Sequence, residues 1–410
     1  MSRHVCLGVW IAFLLATAAL SAQVQLGSEA LAAGGFKELQ GKRVGLLTNP
    51  SGVNRAGRST IELLRNAPGV KLVALFAPEH GLNAEIPAGT EFLDSTNAAT
   101  GLPVFSLYGR GPTRKPTPKM LAGLDALVYD IQDIGCRSYT FISTMGLAME
   151  ACGQAGVEFV VLDRPNPLGG LRAEGPPLDP RFRSHVGQWE IPYVYGLTCG
   201  ELAKMINGER WIKTPCKLTV IRMNGWQRSM TWKETGLKWV ATSPKITSPE
   251  AATGYAALGL LGWIADGSGL DVGYKFNRPY ESVTANWFDG SKLASKLADA
   301  RMKGVRFVPI SGIFEKRPYQ GVRIEYTQPP ISPLVGISFH ILDAIKQVAG
   351  RDLFLEANRR GRDFLMFYKL TGSSITRRDL QAGRSAAGIA KSWKPGEDAF
   401  RARRQKYLLY

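Results

Sequence analysis

Five short apolar runs in the first part of the chain each end in a polar, glycine-rich or proline-rich turn. The runs are residues 44–48, 72–76, 104–107, 126–129 and 159–162. Segments with the helical spacing of apolar residues lie between them, at residues 59–66 and 138–153. Near-continuous apolar strands that alternate with helices are typical of a parallel sheet covered on both faces. The pattern therefore predicts a doubly wound α/β domain.

The turns that follow these runs are rich in functional groups. The polar residues found there are Glu79, His80, Tyr108, Arg110, Asp130, Gln132, Asp133, Asp163, Arg164 and Asn166. A parallel α/β sheet places its ligand outside the carboxyl ends of its strands. We therefore expect these side chains to collect along one edge of the sheet and to form the functional site there.

A change in composition at residues 226–249, which hold three tryptophans and two prolines, separates a second region. Its helical patterns lie at residues 251–264, 291–301 and 334–348, with a strand pattern at residues 321–326. We place the boundary near residue 240. This gives a first domain at residues 36–240 and a smaller α/β domain at residues 241–410.

Residues 1–22 have the pattern of a secretory signal peptide. Arg3 and His4 give a positive start, an apolar run covers residues 5–20, and small residues lead to a cleavage point near Ala22. An uncleaved membrane anchor is the alternative, but the run is short for a bilayer. We expect an exported protein, periplasmic or secreted, without stable membrane insertion after the signal is removed.

The formal net charge is +17, from 51 basic and 34 acidic residues. Because the predicted signal argues against intracellular nucleic acid as a partner, we interpret this charge as attraction to anionic cell-wall polymers. No GxGxxG follows the first strand and no GxxxxGK[ST] occurs, so nucleotide cofactors have no support and none is expected. The cysteines Cys136, Cys152, Cys199 and Cys216 show no metal or disulfide spacing, which favours small core residues.

Glu79 is the sharpest candidate for chemistry, in Ala-Pro-Glu-His-Gly at residues 77–81. A partly buried carboxylic acid favours its proton-bearing form and suits a general acid. A Glu that caps a segment or pairs with an Arg is an equally good interpretation. His80 could orient substrate or share a proton, although an isolated His is more often structural.

Asp130 and Asp133 flank Gln132, and Arg137 and Tyr139 follow. Acids beside an Arg stay ionised and accept hydrogen bonds, so this group could bind sugar hydroxyls or form a structural ion-pair network. Carboxylates also suit Mg²⁺ and Ca²⁺, but no spacing here is diagnostic and we expect no metal.

The turn Asp-Arg-Pro-Asn-Pro at residues 163–167 ends the fifth run. Its two prolines stiffen the turn and fix the directions of Arg164 and Asn166. Arg164 could bind a carboxylate with its planar guanidinium, whereas a rigid turn in which Asp163 bonds its own backbone is the structural alternative.

Several of these motifs occur in the order found in one known family. They are Phe-Ala-Pro-Glu-His-Gly at 76–81, Leu-Tyr-Gly at 107–109, Arg-Lys-Pro-Thr at 114–117, Tyr-Asp-Ile-Gln-Asp-Ile-Gly at 129–135, Leu-Asp-Arg-Pro-Asn-Pro at 162–167, Glu-Gly-Pro at 174–176 and Tyr-Leu-Leu-Tyr at 407–410. Together they resemble the exo-β-N-acetylmuramidases, a YbbC-like family. The likeness is dense at residues 41–208 and thinner beyond.

The resemblance implies a Rossmann-like first domain, a smaller second domain and an active site in the cleft between them. It implies an exported glycosidase that releases terminal N-acetylmuramic acid from peptidoglycan fragments, with Glu79 as the favoured catalytic carboxylate. We expect His80 and Asp130 to act in catalysis with Glu79, and the sugar to be bound by strand-end residues, namely Tyr108, Gln132, Asp133, Arg137, Tyr139, Asp163, Arg164 and Asn166.

The second carboxylate of a glycosidase stays open among Asp130, Asp133, Asp266 and a route assisted by the substrate's own N-acetyl group. The sequence departs from the family at Val194-Tyr195 and at Asp266-Gly267-Ser268-Gly269. These departures keep open an exported glycan-binding protein without catalysis. A cell-wall amidase or esterase has less support, because no GxSxG or zinc pattern is present.

Overall fold

The structure is a computed structural model that describes residues 23–109 and 114–410. The predicted signal peptide at residues 1–22 and the strand-end residue Arg110 lie outside the described residues.

The strands confirm the predicted α/β pattern, since each of the five apolar runs is a strand to within one residue at either end. The strands are β1 (Arg43–Thr48), β2 (Lys71–Ala77), β3 (Ser95–Thr96), β4 (Pro103–Ser106), β5 (Ala126–Asp130), β6 (Glu158–Leu162), β7 (Leu218–Ile221), β8 (Ser282–Ala285), β9 (Val305–Phe314) and β10 (Arg317–Tyr326). The predicted strand at residues 321–326 is the second half of β10.

The five predicted helices are also present, with ends that differ by up to three residues. The helices are α1 (Gly27–Ala33), α2 (Thr60–Arg65), α3 (Pro118–Leu121), α4 (Phe141–Ala155), α5 (Cys199–Gly208), α6 (Trp232–Thr235), α7 (Pro249–Ala265), α8 (Gly290–Ala298), α9 (Val335–Ala349), α10 (Leu353–Arg359), α11 (Phe364–Thr371), α12 (Ile375–Gln381) and α13 (Ala386–Arg404).

The first seven strands form one sheet in the order β3-β4-β2-β1-β5-β6-β7. All neighbours in it are parallel except the short edge strand β3, which is antiparallel to β4. From β1 the chain moves outward through β2 in one direction, and from β5 it moves outward through β6 in the other. The strand order therefore reverses between β1 and β5, which is where doubly wound sheets open a crevice for ligands.

The large sheet is covered on both faces, as its apolar strands predicted. In β1, Leu46 belongs to the apolar cluster that includes Leu31 and Leu64, from α1 and α2. The next residue, Leu47, belongs to the cluster on the other face, which includes Met145 of α4. Successive strand residues point to opposite faces, so a strand buried on both sides has no polar alternation.

The second region is a smaller α/β unit. Its antiparallel sheet has the order β8-β10-β9; α8 packs against this sheet, α9 packs against α8, and α7 packs against α9. The expected combination of a doubly wound parallel-sheet domain and a smaller α/β domain is confirmed.

The C-terminal segment returns from the smaller domain to the first one. Arg404, at the end of α13, donates to backbone carbonyls that include those of Gly170 and Tyr195, at 3.1 and 2.7 Å. The hydroxyl of Tyr410 donates to Asp163 Oδ2 at 2.8 Å, beside the end of β6. The two domains are therefore joined by specific polar contacts as well as by the apolar core.

Throughout residues 23–109 and 114–410, every helix is too short or too polar to span a lipid bilayer.

Candidate active site

Glu79 lies just beyond β2 and is buried, with 6% of its surface exposed. Its Oε1 accepts a hydrogen bond from the Gly89 backbone N–H at 2.8 Å, and its Oε2 accepts one from the Thr140 hydroxyl at 2.6 Å. Thr140 occupies the N-cap position of α4. The carboxyl group is therefore held between a loop on one side and the start of a helix on the other.

The turn after Glu79 depends on two residues with left-handed backbone, His80 at φ 73° and Gly81 at φ 76°. The positive φ at Gly81 favours glycine, and a Cβ there would lie 2.8 Å from Cδ1 of Ile86. The His80 Nδ1 lies 2.7 Å from the Ile86 carbonyl oxygen. His80 thus shapes the loop that brings Gly89 to Glu79, which is a structural role, and its catalytic role stays a prediction.

Tyr108 lies beside Glu79, and Arg114 and His185 pack on Tyr108. Burial raises the pKa of Tyr108 to about 12, and the charge of Glu79 and its hydrogen bond to the hydroxyl act in the same direction. The Arg114 guanidinium carbon lies 3.8 Å from the centre of the Tyr108 ring. The ring of His185 lies on Tyr108 with centroids 5.7 Å apart. We call Glu79, Tyr108, Arg114, Thr140 and His185 the Glu79 cluster.

His185 is a neutral group in this cluster. Burial lowers its pKa to about 4, and the nearby charge of Glu79 opposes that shift in part. Neither ring nitrogen has a hydrogen-bond partner in the described parts of the chain. A neutral imidazole carries one donor and one acceptor, so His185 has both available beside the Glu79 carboxyl group.

The smaller domain borders the same cluster through α7. The hydroxyl of Tyr255 lies 3.1 Å from Ser138 Oγ, and its ring packs edge-on against Tyr139. Burial raises the pKa of Tyr255, and the charge of Glu79 adds to this effect. Helix α7 therefore contributes to the wall around Glu79.

Asp130 and Arg164 form a buried ion pair at the end of β5. The Arg164 Nε donates to Asp130 Oδ1 at 2.5 Å and a terminal nitrogen donates to Oδ2 at 3.0 Å. Asp130 Oδ2 also accepts a hydrogen bond from the Thr60 hydroxyl. The predicted grouping of Asp130 with Arg137 is wrong, because Arg164 is the arginine within reach. A catalytic role for Asp130 stays a prediction.

Asp133, unlike Asp130, forms no ion pair with an arginine among the described residues, so the expectation that a nearby guanidinium keeps it ionised is wrong. Burial raises its pKa to about 6, although hydrogen bonds to Oδ2 from Tyr195 and the Gly135 N–H act against this shift. Asp133 Oδ1 and the neighbouring Gln132 Oε1 are buried without a partner among the described residues. Asp133 thus combines a pKa close to neutrality with a free carboxyl oxygen.

Arg137 is fully buried and donates to backbone carbonyls. One terminal nitrogen donates to Pro176 and Ile191 at 2.8 and 2.6 Å, and the other to Thr371 at 2.6 Å. Burial lowers its pKa to about 10. Arg137 therefore links the two domains through these hydrogen bonds. Its binding of a sugar carboxylate stays a prediction without a supporting contact.

Three other predicted binding residues, Tyr139, Asp163 and Asn166, form hydrogen bonds to protein groups in adjacent turns. The Tyr139 hydroxyl lies 2.6 Å from Thr242 Oγ1. Asp163 accepts hydrogen bonds from Thr198, the Gly200 N–H and Tyr410, and burial raises its pKa to about 6. Asn166 donates to the Leu197 carbonyl at 3.0 Å. These residues share the sheet edge as predicted, but their direct partners are protein groups.

The carboxylate Asp266 lies on the surface, where it pairs with Arg362. The four cysteines Cys136, Cys152, Cys199 and Cys216 are free and buried, which confirms their interpretation as core residues. Within residues 23–109 and 114–410, no group of three or more His, Cys, Asp or Glu side chains is arranged to hold a metal ion.

Sequence reasoning missed four residues with contacts in this region. Thr140 lies inside the helical pattern predicted for residues 138–153, so it carried no separate signal, although a threonine before the apolar residues Phe141 and Ile142 is a common helix start. Arg114 lies in a family motif but had no assigned role. His185 and Tyr195 lie in the irregular segment before α5, where no periodicity points to a site.

The chain matches one family along most of its length. Residues 44–250 match the description Exo-beta-N-acetylmuramidase NamZ, N-terminal, and residues 253–410 match Exo-beta-N-acetylmuramidase NamZ, C-terminal. The chain belongs to the NamZ family. The resemblance inferred from the motifs is confirmed.

A curated relative supports NamZ membership over nearly the whole chain. The chain is 37% identical to the peptidoglycan beta-N-acetylmuramidase NamZ of Bacillus subtilis over 394 residues, covering 95% of this chain and 92% of that protein. Sequence identity at this level, over nearly the whole length of both proteins, identifies this NamZ-family chain as a glycosidase.

Two solved structures of DUF1343 family proteins from Bacteroides fragilis share the fold. One has a TM-score of 0.86 at 41% identity, and the other has a TM-score of 0.72 at 25% identity. Each comparison covers 95% of this chain and 99% of the other.

The raised pKa of Asp133 predicts a specific pH dependence of stability. Its folded pKa of about 6 lies above the unfolded value of about 3.9, so Asp133 destabilises the fold progressively as pH rises through this window. Asp133→Asn removes that titration. The free energy of unfolding of the variant, relative to wild type, should rise by the order of 2 kcal/mol from pH 4 to pH 7 in urea titrations.

The matched control is Asp266→Asn, because Asp266 is a surface carboxylate whose side chain is 69% exposed. Its stability relative to wild type should change little over the same range. A constant difference between Asp133→Asn and wild type at both pH values would contradict the assignment.

Proposed function

We propose that this protein is an exported exo-β-N-acetylmuramidase that releases terminal non-reducing N-acetylmuramic acid from peptidoglycan fragments. The observation that carries the proposal is the position of Glu79. Its carboxyl group is buried at the C-terminal ends of the strands in the sheet of a NamZ-family protein. The similarity to the peptidoglycan beta-N-acetylmuramidase of Bacillus subtilis supports the same substrate class.

The surroundings of Glu79 suit a group that holds and releases a proton. A threonine hydroxyl is both a donor and an acceptor, so Thr140 can donate to the carboxylate and accept from the carboxylic acid. Glu79 forms no salt bridge with any described residue, and its carboxyl oxygens accept from the Gly89 N–H and the Thr140 hydroxyl. Glu79 is therefore the proposed proton donor to the departing sugar oxygen.

The second group of the reaction has new candidates in the structure. Glu91 accepts a hydrogen bond from Arg114 at 3.2 Å, and its charge acts on Tyr108, so it borders the Glu79 cluster. Asp133 retains a free oxygen, whereas Asp130 and Asp266 are each paired with an arginine. A route assisted by the substrate's N-acetyl group needs no second carboxylate.

Arg114 is the proposed contact for the lactyl carboxylate, which distinguishes N-acetylmuramic acid from N-acetylglucosamine. It is the arginine that lies against Tyr108 in the Glu79 cluster, whereas Arg137 and Arg164 are engaged elsewhere. Its partners are the Gly109 carbonyl and the half-exposed Glu91. A surface partner of this kind is weak, so a substrate carboxylate can replace it.

The first test concerns Glu79. Glu79→Gln keeps the size of the side chain but removes the transferable proton, so kcat on a MurNAc-GlcNAc disaccharide should fall by roughly 10²–10⁴. A chromogenic glycoside with a good leaving group needs less protonation and should lose less. Steady-state kinetics on both substrates, with thermal unfolding as a check of the fold, measure this.

Glu85→Gln is the control, because Glu85 is an exposed carboxylate in the same loop and should retain activity. Near-normal disaccharide turnover by Glu79→Gln would refute the assignment. Binding of fragments without turnover by the wild-type protein would instead favour a glycan-binding protein without catalysis.

The second test concerns Arg114. Arg114→Gln should reduce kcat/KM for a MurNAc glycoside by roughly 10–100-fold, since a charged hydrogen bond is lost. The corresponding GlcNAc glycoside should change much less. Arg183→Gln, at a surface ion pair with Glu190, is the control. Equal losses on both substrates would show that Arg114 has a structural role instead.

The third test concerns export. The charged, apolar and small-residue pattern of residues 1–22 supports a mature protein that begins near Ala22 or Gln23. Mass spectrometry of protein recovered from the periplasm or medium should find this N-terminus. Soluble cytoplasmic protein with an intact Met1 would contradict export.

A further inference from the structure

A cavity of about 140 Å³ opens where the strand order reverses between β1 and β5. Ser51 follows β1, Gln132 follows β5 and Arg164 follows β6, and all three line it. Its outer wall includes Trp232 and Lys238, from the segment that precedes the smaller domain. This is the crevice position at which doubly wound sheets bind ligands.

The cavity is separate from the Glu79 cluster, none of whose members lines it. Asn49 donates to the Thr242 carbonyl at 3.1 Å, and Thr242 Oγ1 lies 2.6 Å from the Tyr139 hydroxyl. This bridge crosses the sheet edge between the cavity and the start of α4, where Thr140 holds Glu79. The fold therefore has two polar sites on one edge.

The charge of the cavity wall favours an anion. Arg55, Arg164 and Lys238 line it, and no Asp or Glu does. Arg164 is paired with Asp130, whereas Arg55 and Lys238 form no ion pair with any described residue. Arg55 is half-buried and donates to the Val24 and Gly236 carbonyls, and Lys238 is exposed. Two cations without a carboxylate partner therefore border a small, partly enclosed space, which favours an anion.

The side chain of Gln132 favours a ligand that carries a hydrogen-bond donor. Its Nε2 donates to the Asp133 and Pro165 carbonyls at 2.8 and 2.7 Å, which fixes the orientation of the amide. Its Oε1 is buried and has no partner in the described structure. The Trp232 Nε1 in the same wall is also buried without a partner. A buried acceptor and a buried donor are thus both open to a ligand.

We propose that this cavity is a binding site for a small carboxylate that also carries a hydroxyl or amino group. The carboxylate meets Arg55 and Lys238, and the hydroxyl or amino group donates to Gln132 Oε1. The volume suits a molecule of a few heavy atoms. This site is additional to the glycosidase site and does not depend on the proposed substrate of Glu79.

The test is calorimetric titration of the full-length protein with lactate, in both enantiomers, and with propionate at constant ionic strength. Lactate should bind saturably and at least about tenfold more tightly than propionate, which lacks the hydroxyl that Gln132 would accept. Lys238→Gln should weaken lactate binding by about tenfold. Gln132→Leu should remove the preference for lactate over propionate.

Two controls locate the site. Lys233→Gln changes an exposed lysine of the same segment that does not line the cavity, and Glu79→Gln changes the glycosidase site, so both should bind lactate as wild type does. The proposal is overturned if lactate fails to bind saturably, or if lactate and propionate bind equally. It is also overturned if Lys233→Gln weakens binding as much as Lys238→Gln, or if Glu79→Gln abolishes it.

Discussion

The buried ion pair between Asp130 and Arg164 organises the functional edge of the large sheet. Asp130 ends the central strand β5, and Arg164 follows β6 and also donates to the Val53 carbonyl in the loop after β1. Thr60, at the start of α2, donates to the same carboxylate. Three strand ends and one helix therefore share one charged centre. Removal of one partner from such a pair leaves an uncompensated buried charge, which costs roughly 3–5 kcal/mol.

The large sheet could be predicted because its strands are buried on both faces, so each is an uninterrupted apolar run. Strands outside that environment gave a weaker signal. Strand β7 (Leu218–Ile221) lies at the sheet edge and is mostly half-buried, and β9 (Val305–Phe314) alternates between exposed and covered positions and contains Pro309. Edge strands such as β7 and β9 depend on contacts with the neighbouring strand, which a single sequence does not display.

The sheet edge at which the candidate residues lie could be predicted, but their contacts only in part. Strand-end position correctly located Glu79 and Tyr108 beside each other. The same reasoning could not separate side chains that face a ligand from those that hold the turns, because both are polar and follow a strand. Arg137 and Asp163 belong to the second kind. The partners of Arg137 are backbone carbonyls, and those of Asp163 include two hydroxyls and a backbone N–H, all distant in sequence. Arg114 and His185 contact Tyr108 from irregular segments, and sequence spacing carries no information about such contacts.

The contact between Tyr410 and Asp163 joins residues 247 positions apart. Asp163 follows the inner strand β6, so the first domain keeps a buried carboxyl group without this donor until residue 410 has been synthesised. A nascent chain that already holds all seven strands of the large sheet still lacks the segment that covers the end of β6. The seven strands are synthesised before the C-terminal segment that packs against them. The first domain therefore completes its fold together with the second.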